Sequence, residues 1–187
     1  FTEKINSKKK IWFHCSSVGE YEQIKSIINY FKKNNHELII TFFSPGAYKY
    51  LKGKLEIPCL LFPLDTKKNI NQFIEQTSVK AILIAKNEIW PNLINSGFKK
   101  NIPIFIIAAK IKRSKIKNII FGSFYCSLLK KINIIFVQDE HSKKILNTKN
   151  IPSIVSGDPR IDQVILDHKK KVDDNLIKKF ISKKEIV

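Results

Sequence analysis

The chain of 187 residues contains no uninterrupted run of 18 apolar residues, so nothing in it reads as a transmembrane helix. Phe1 to Lys10 also lacks the apolar core of a signal peptide. Cysteine is scarce. Cys15, Cys59 and Cys126 are odd in number, widely spaced and set in apolar sequence, which suits buried thiols in a reducing compartment better than disulfides or a zinc site. A soluble, cytosol-facing chain is the expectation. Arginine is scarcer still: Arg113 and Arg160 are the only two, so the other basic residues are lysines. With 16 acidic residues against 34 basic ones the formal charge is +18, and a basic surface attracts phosphate through counterion release. The lysines, however, are scattered as doublets (Lys32-Lys33, Lys67-Lys68, Lys99-Lys100, Lys130-Lys131), and lysine, isoleucine and asparagine abound together, as AT-rich codon usage would give. The charge therefore reads as solvated faces, with no specific nucleic-acid partner.

Glycine numbers 6, and its signatures are missing. The G-x-G-x-x-G of dinucleotide-binding domains, the P-loop and the G-x-S-x-G elbow of serine hydrolases are all absent, as are HExxH and CxxC. Dinucleotide, nucleoside-triphosphate, serine-nucleophile and zinc chemistries are disfavoured together, and no cofactor or metal is expected.

What is present is an alternation of two periods. Ile11 to Cys15 reads as a buried strand, Tyr21, Ile24, Ile27, Ile28 and Phe31 recur at helical spacing, and Asn34-Asn35 stops that helix. Leu38 to Phe43 is a second strand, closed by Ser44-Pro45-Gly46 and followed by a short helix with Tyr48 and Leu51. Further strands are predicted at Cys59 to Phe62, Val79 to Ala85, Ile104 to Ala109, Ile134 to Val137 and Ser153 to Val155. Helical stripes fall between them: Ile70, Phe73 and Ile74; then Phe121, Phe124, Tyr125, Leu128 and Leu129; then Ser142 to Leu146. Lys110 to Lys117 reads only as a basic stretch. The tail is helical in pattern (Val164, Ile165, then Leu176, Ile177, Phe180), and Glu185-Ile186-Val187 looks like the opening of another strand. Strands alternating with helices at this interval predict an α/β fold, a Rossmann-like parallel sheet with helices on both faces. Residues 1–157 are expected to form that domain, with 158–187 a linker and the start of a second one.

Such sheets bind ligands beyond the carboxyl ends of their strands, so the strand-to-helix turns are where site residues belong. Ser16-Ser17-Val18-Gly19 leads into a helix whose first carboxylate is Glu20. A glutamate held there can act as a general base, but Ser17-x-x-Glu20 is equally a capping box. The turn Lys86-Asn87-Glu88-Ile89-Trp90-Pro91-Asn92 repeats the arrangement, with Asn87 placed to cap the next helix and Pro91 in its first turn. Glu88 is either a site carboxylate or a helix-start charge. Lys110, Arg113, Asp158 and Arg160 lie at later strand ends. Lys110 and Arg113 also suit a solvated basic face, and Arg160 a surface ion pair with Asp158 or Asp162. His14 reads as a core residue at a strand end.

The order W-x-H-x-x-S-V-G-E (Trp12 to Glu20), P-L-D (Pro63 to Asp65), N-E-I-W-P-N (Asn87 to Asn92), F-V-Q (Phe136 to Gln138) with Ser142, and G-D-P-R-I-D (Gly157 to Asp162) resembles the amino-terminal domain of the 3-deoxy-D-manno-octulosonic acid (Kdo) transferases. The match runs in register from Ile11 to Val164. The resemblance implies the amino-terminal, acceptor-side half of a GT-B glycosyltransferase of lipopolysaccharide biosynthesis. It implies transfer of Kdo from CMP-Kdo to a hydroxyl of the lipid A precursor (lipid IVA), inverting and metal-independent, at the cytoplasmic face of the bacterial inner membrane, with an anionic membrane surface as a further partner. In that scheme Glu20 is the general base, kept ionised by the amides and dipole of a helix start. Glu88 and Arg160 stabilise the transition state, offsetting charge on the sugar ring and on the departing phosphate or the Kdo carboxylate. Ser17, Gly19, Asn92, Lys110 and Arg113 meet substrate.

The chain departs from the family pattern at Lys86, where many members carry glutamate, at Arg160, where many carry lysine, and at Lys110, where arginine is usual. The usual amino-terminal membrane anchor and most of the donor site are missing, so a fragment or a decayed gene product, inactive alone, is expected. Two other readings stay open: a non-catalytic basic domain docking on anionic lipid or nucleic acid, and a GT-B enzyme with another nucleotide sugar.

Overall fold

The computed structural model describes residues 9–86, 88–117 and 122–168. Asn87, Phe121, the Leu176, Ile177 and Phe180 stripe and the Glu185 to Val187 strand lie outside the described residues. The strands are β1 (Lys10–Cys15), β2 (Leu38–Phe42), β3 (Cys59–Leu61), β4 (Val79–Ala85), β5 (Ile104–Ala109), β6 (Ile134–Val137) and β7 (Ser153–Val155). The helices are α1 (Val18–Lys33), α2 (Pro45–Leu51), α3 (Lys67–Thr77), α4 (Pro91–Lys99), α5 (Arg113–Lys117), α6 (Gly122–Leu129), α7 (Glu140–Asn147) and α8 (Pro159–His168). Among the described residues the strands form one parallel sheet in the order β3-β2-β1-β4-β5-β6-β7. This is the Rossmann-like α/β sheet that the alternation predicts.

The central strands are apolar on both faces because both faces are covered. On one face Trp12, Ile39, Ile82, Ile84, Ile104 and Ile106 pack with α3, α4, α6 and α7. On the other, Ile11, Phe13, Cys15, Ile40 and Phe42 pack with α1 and α2. The pleat separates neighbours along β1: Phe13 turns to α1, while Trp12 and His14 turn to the opposite side. Cys15 and Cys126 are buried and Cys59 is half-buried, all as free thiols.

The helix-to-strand corners show how a glycine-poor chain turns. Asn35, Ser78, Asn101 and Asn150 stand in the left-handed region with φ of 57, 53, 53 and 52°. Glycine most often fills that place after a helix, and asparagine is the usual substitute. Glycine is kept where approach is closest: a Cβ on Gly97 would lie 2.8 Å from Cδ1 of Ile104 and 3.1 Å from Cδ1 of Ile82, so the bare backbone lets α4 settle onto the sheet.

The short helix α5 is not foreseen in the basic stretch, whose periodicity is too weak to show it. Ile111 and Ile116 nonetheless bury beneath it. The helix just past the expected boundary, α8, lies along α1 over an apolar cavity of about 460 Å³ walled by Ile27, Phe31, Phe105, Ile107 and Phe136.

Candidate active site

The strand order reverses between β1 and β4, and the loops leaving their carboxyl ends part in opposite directions there, opening the crevice in which such sheets hold ligands. The loop after β1 carries Ser16, Ser17 and Glu20; the loop after β4 carries Lys86, Glu88 and Trp90.

Ser17 caps α1, its Oγ accepting the amide of Glu20 at 3.3 Å. Glu20 reaches back, but its Oε2 accepts the amide of Ser16, at 2.5 Å, one residue ahead of the cap itself. The capping reading is thus correct in kind, with the return bond displaced by one residue. The same geometry buries Glu20 to 7% exposure. Burial pushes its carboxyl up, the Ser16 amide opposes that, the charge of Glu88 pushes up further and Lys86 opposes again. Desolvation outweighs the Ser16 amide in raising the proton affinity of Glu20, while the bond from that amide still favours the ionised form. Lys86, with its backbone left-handed at φ 57°, sets a positive charge near Glu20.

Glu88 is half-buried and precedes α4, whose first turn contains no acidic residue. Its reading as a helix-start charge is corrected, and it instead faces Glu20 closely enough to be felt electrostatically. The cap expected from Asn87 comes from elsewhere. Trp90 occupies the cap position without a side-chain bond, and Asp65 supplies both acceptors: Oδ2 to the Asn92 amide at 3.1 Å and Oδ1 to the Leu93 amide at 3.0 Å. Asn92 answers by donating Nδ2 to the Asp65 carbonyl at 2.6 Å. Its side chain is spent on this tie, and the residue lines a cavity of about 480 Å³ between α3 and α4 along with Lys67, Asn95, Lys99 and Lys131.

Beneath the crevice His14 is fully buried, with Nδ1 2.9 Å from Oγ1 of Thr41. Thr41 Oγ1 also accepts from Trp12 Nε1 at 2.8 Å, so one hydroxyl joins the two side chains, while Nε2 of His14 is buried without a partner among the described residues. Burial pushes His14 down to about 3, with hydrogen bonding at Thr41 opposing. It is a neutral core residue. Its ring stacks obliquely on Phe62 at 4.2 Å and meets the edge of Trp90 at 5.5 Å. Trp90 in turn supports the exposed ring of Phe43 at 4.9 Å, so an aromatic shelf borders the carboxyl edge.

The remaining sequence-derived residues divide. Gly19 is exposed in the first turn of α1 with no close neighbour to exclude a side chain, so the fold itself does not demand glycine there. Lys110 and Arg113 are exposed beyond β5, one strand away from the crevice, and Lys110 stands near Asp139, which caps α7. Arg160 is exposed and bonded to Asp158, the surface pair that the sequence offered as its alternative. Asp158 also receives a bond from Gln23 on α1, so Arg160 is linked to the helix of Glu20. Sequence reasoning assigned no role to Gln23, Thr41 or Asp65. Asp65 alone carried a signal, as part of a quoted motif. Among the described residues no group of three His, Cys, Asp or Glu side chains gathers to hold a metal, and no helix is long and apolar enough to cross a membrane.

Residues 1–163 match a family model described as 3-deoxy-D-manno-octulosonic-acid transferase (kdotransferase). A 3-deoxy-D-manno-octulosonic acid transferase of Aquifex aeolicus is 35% identical over 121 residues, 64% of this chain and 33% of the relative. A bifunctional glycosyltransferase/methyltransferase of Fusobacterium nucleatum is 30% identical over 146 residues, 75% of this chain and 23% of the relative. The chain thus spans between about a quarter and a third of these relatives' length. Among solved structures, the UDP-GlcNAc 2-epimerase of Neisseria meningitidis bound to UDP-GlcNAc superposes with a TM-score of 0.69 at 16% identity, covering 93% of this chain and 53% of that one. At that identity the likeness is one of fold.

Proposed function

The chain belongs to the 3-deoxy-D-manno-octulosonic-acid transferase family, and we propose that it forms the acceptor-side part of a GT-B enzyme that moves Kdo from CMP-Kdo to a hydroxyl of the lipid A precursor. One observation carries the mechanism. Glu20 is buried at the crevice with its carboxyl raised, and a second carboxylate, Glu88, faces it across the reversal of strand order.

A buried carboxylate with a raised proton affinity is a stronger base than an exposed one, and a sugar hydroxyl is acidic only as it attacks. Glu20 takes the hydroxyl proton while the oxygen bonds to the anomeric carbon of Kdo. The bond from that carbon to the phosphate oxygen breaks, and CMP leaves with the electron pair, inverting the centre. Glu88 offsets positive charge on the ring as it flattens, and Arg160 offers guanidinium donors to the phosphate or the Kdo carboxylate. Ser17 and Gly19 border the acceptor, Gly19 leaving open space above the helix start, while Lys110 and Arg113 meet its phosphates further along the edge. No step needs a metal.

The acceptor is a lipid, so the working place is the cytoplasmic face of the inner membrane. The exposed Phe43, Leu61 and Leu64, with Lys67 and Lys68 close in sequence, support contact with an anionic lipid surface at the same edge. The test is Kdo transfer from CMP-Kdo to a lipid A precursor, read by mass, for the full open reading frame and its Glu20→Ala variant. Transfer that disappears in the variant is expected. Transfer that persists removes Glu20 as the base, and a wild-type frame that transfers nothing favours a docking domain whose lipid binding weakens with salt and ignores Glu20.

A further inference from the structure

Gln23 stands one helical turn after Glu20 on α1 and is 1% exposed, yet no step of the transfer uses it. A buried side-chain amide needs partners, and Gln23 finds one 135 residues away: its Nε2 donates to Oδ1 of Asp158 at 3.1 Å. The same oxygen accepts the amide of Arg160 at 3.0 Å, in the first turn of α8. The other, Oδ2, accepts both Nε at 2.9 Å and Nη2 of the Arg160 side chain.

An exposed ion pair between residues two apart contributes little and needs no third member. Here the third member is buried, and it turns a local pair into a strap between α1 and the corner before α8. Gly157, left-handed at φ 77°, and Pro159, fixed in φ, flank Asp158 and set the direction in which it projects. The guanidinium spends Nε and one Nη2 hydrogen on one carboxylate oxygen. Its Nη1 edge and the second Nη2 hydrogen remain outward on a side chain that is 67% exposed, while that of Asp158 is 18% exposed. An arginine so held keeps a preorganised fork for one oxyanion.

We propose that Gln23 and Asp158 are positioning residues that aim the free edge of Arg160 at an oxyanion of the sugar donor and fix it relative to Glu20. The inference rests on the transferase reading of Arg160 given above. Neither residue touches the reacting atoms.

Because the chain has only two arginines, its Nε–Hε spectrum contains two side-chain signals, and Arg160→Lys identifies one of them. Hydrogen exchange at Arg160 Nε should be several-fold slower than at Arg113, and Gln23→Met, which keeps the volume and removes the donor, should speed it several-fold while leaving Arg113 unchanged. Titration with CMP, which offers a phosphate, and separately with free Kdo, which offers a carboxylate, should shift the Arg160 signal for one of them. That response should weaken several-fold in Gln23→Met and in Asp158→Asn, with Gln23→His, which retains a ring donor, partly restoring it. An Arg160 exchange rate indifferent to Gln23→Met, no response to either probe, or a response equal in the variants overturns the proposal. In the full frame Gln23→Met should lower kcat/KM for the donor several-fold with the acceptor KM nearly unchanged, and a loss confined to the acceptor KM overturns it too. A wild-type frame without transfer sinks the transferase reading, and is told apart because the exchange and titration results on the chain do not depend on turnover.

Discussion

Asp65 and Asn92 hold each other at the start of α4: the Asp65 carboxylate accepts the Asn92 amide at 3.1 Å, and the Asn92 side chain donates to the Asp65 carbonyl at 2.6 Å. Two short motifs 27 residues apart are thereby one structural unit, the second lacking a cap of its own. Asp65→Ala removes both acceptors from the Asn92 and Leu93 amides, and the expected cost is about 2 kcal/mol, the upper end for loss of a cap. For a chain of this size that lowers the melting temperature by about 4–8 °C. Asp65→Asn, which keeps an acceptor, should lose less, and a thermal melt of both variants checks the order.

Glu20 gives a pH-dependent prediction. Burial raises its folded carboxyl above 4.5, so the folded state binds the proton more tightly than the unfolded chain does, and ionisation costs stability as pH rises through that value. Glu20→Gln keeps an oxygen for the Ser16 amide and removes the charge. Its melting temperature should exceed that of the wild type at neutral pH, and the gap should close as the pH falls below 4.5. A gap of constant size at all pH values would mean that burial does not control this carboxyl. The same variant should lose transfer activity in the full frame.

His14 has the opposite sense. Its folded value of about 3 lies below the ordinary 6.5, so the unfolded chain takes up a proton that the folded chain refuses, and stability is lost as pH falls from 6.5 toward 3. The contribution is about 1.4 kcal/mol per pH unit in that window. His14→Phe fills the ring space against Phe62 and Trp90 and does not titrate, so its denaturation midpoint should fall less steeply between those two pH values.

Most of the fold was legible because each strand is short, apolar and followed by turn chemistry, and each longer helix repeats its apolar residues on one side. The helix α5 was not, since two buried isoleucines among basic residues make no pattern. At the site, Glu20 and Glu88 were placed at the correct junctions, but the raised carboxyl of Glu20 depends on burial, which the short motif around it does not encode. The cap of α4 and the partner of Gln23 were beyond reach for a related reason: both acceptors are supplied by distant loops, and sequence spacing informs only about neighbours on one element.

Gly97 tests the packing of that same helix. Gly97→Val would drive its side chain into Ile104 and Ile82, which are fully buried and stiff at χ1, and overpacking of this kind costs about 1–3 kcal/mol. Chemical denaturation should show the loss, and Ile104→Val in the same chain should recover part of it, because the two sites share one space.

The strands of the sheet all point one way, so its helix-to-strand corners open on one rim and its strand-to-helix loops on the other. The chain therefore has a front and a back for handling. A dye, a solid support or a fused protein joined at the Asn101 or Asn150 corner sits on the rim far from Glu20 and leaves the crevice facing solution. The same attachment at Phe43 or Leu64 lands on the crevice's own rim, where it competes with whatever docks there.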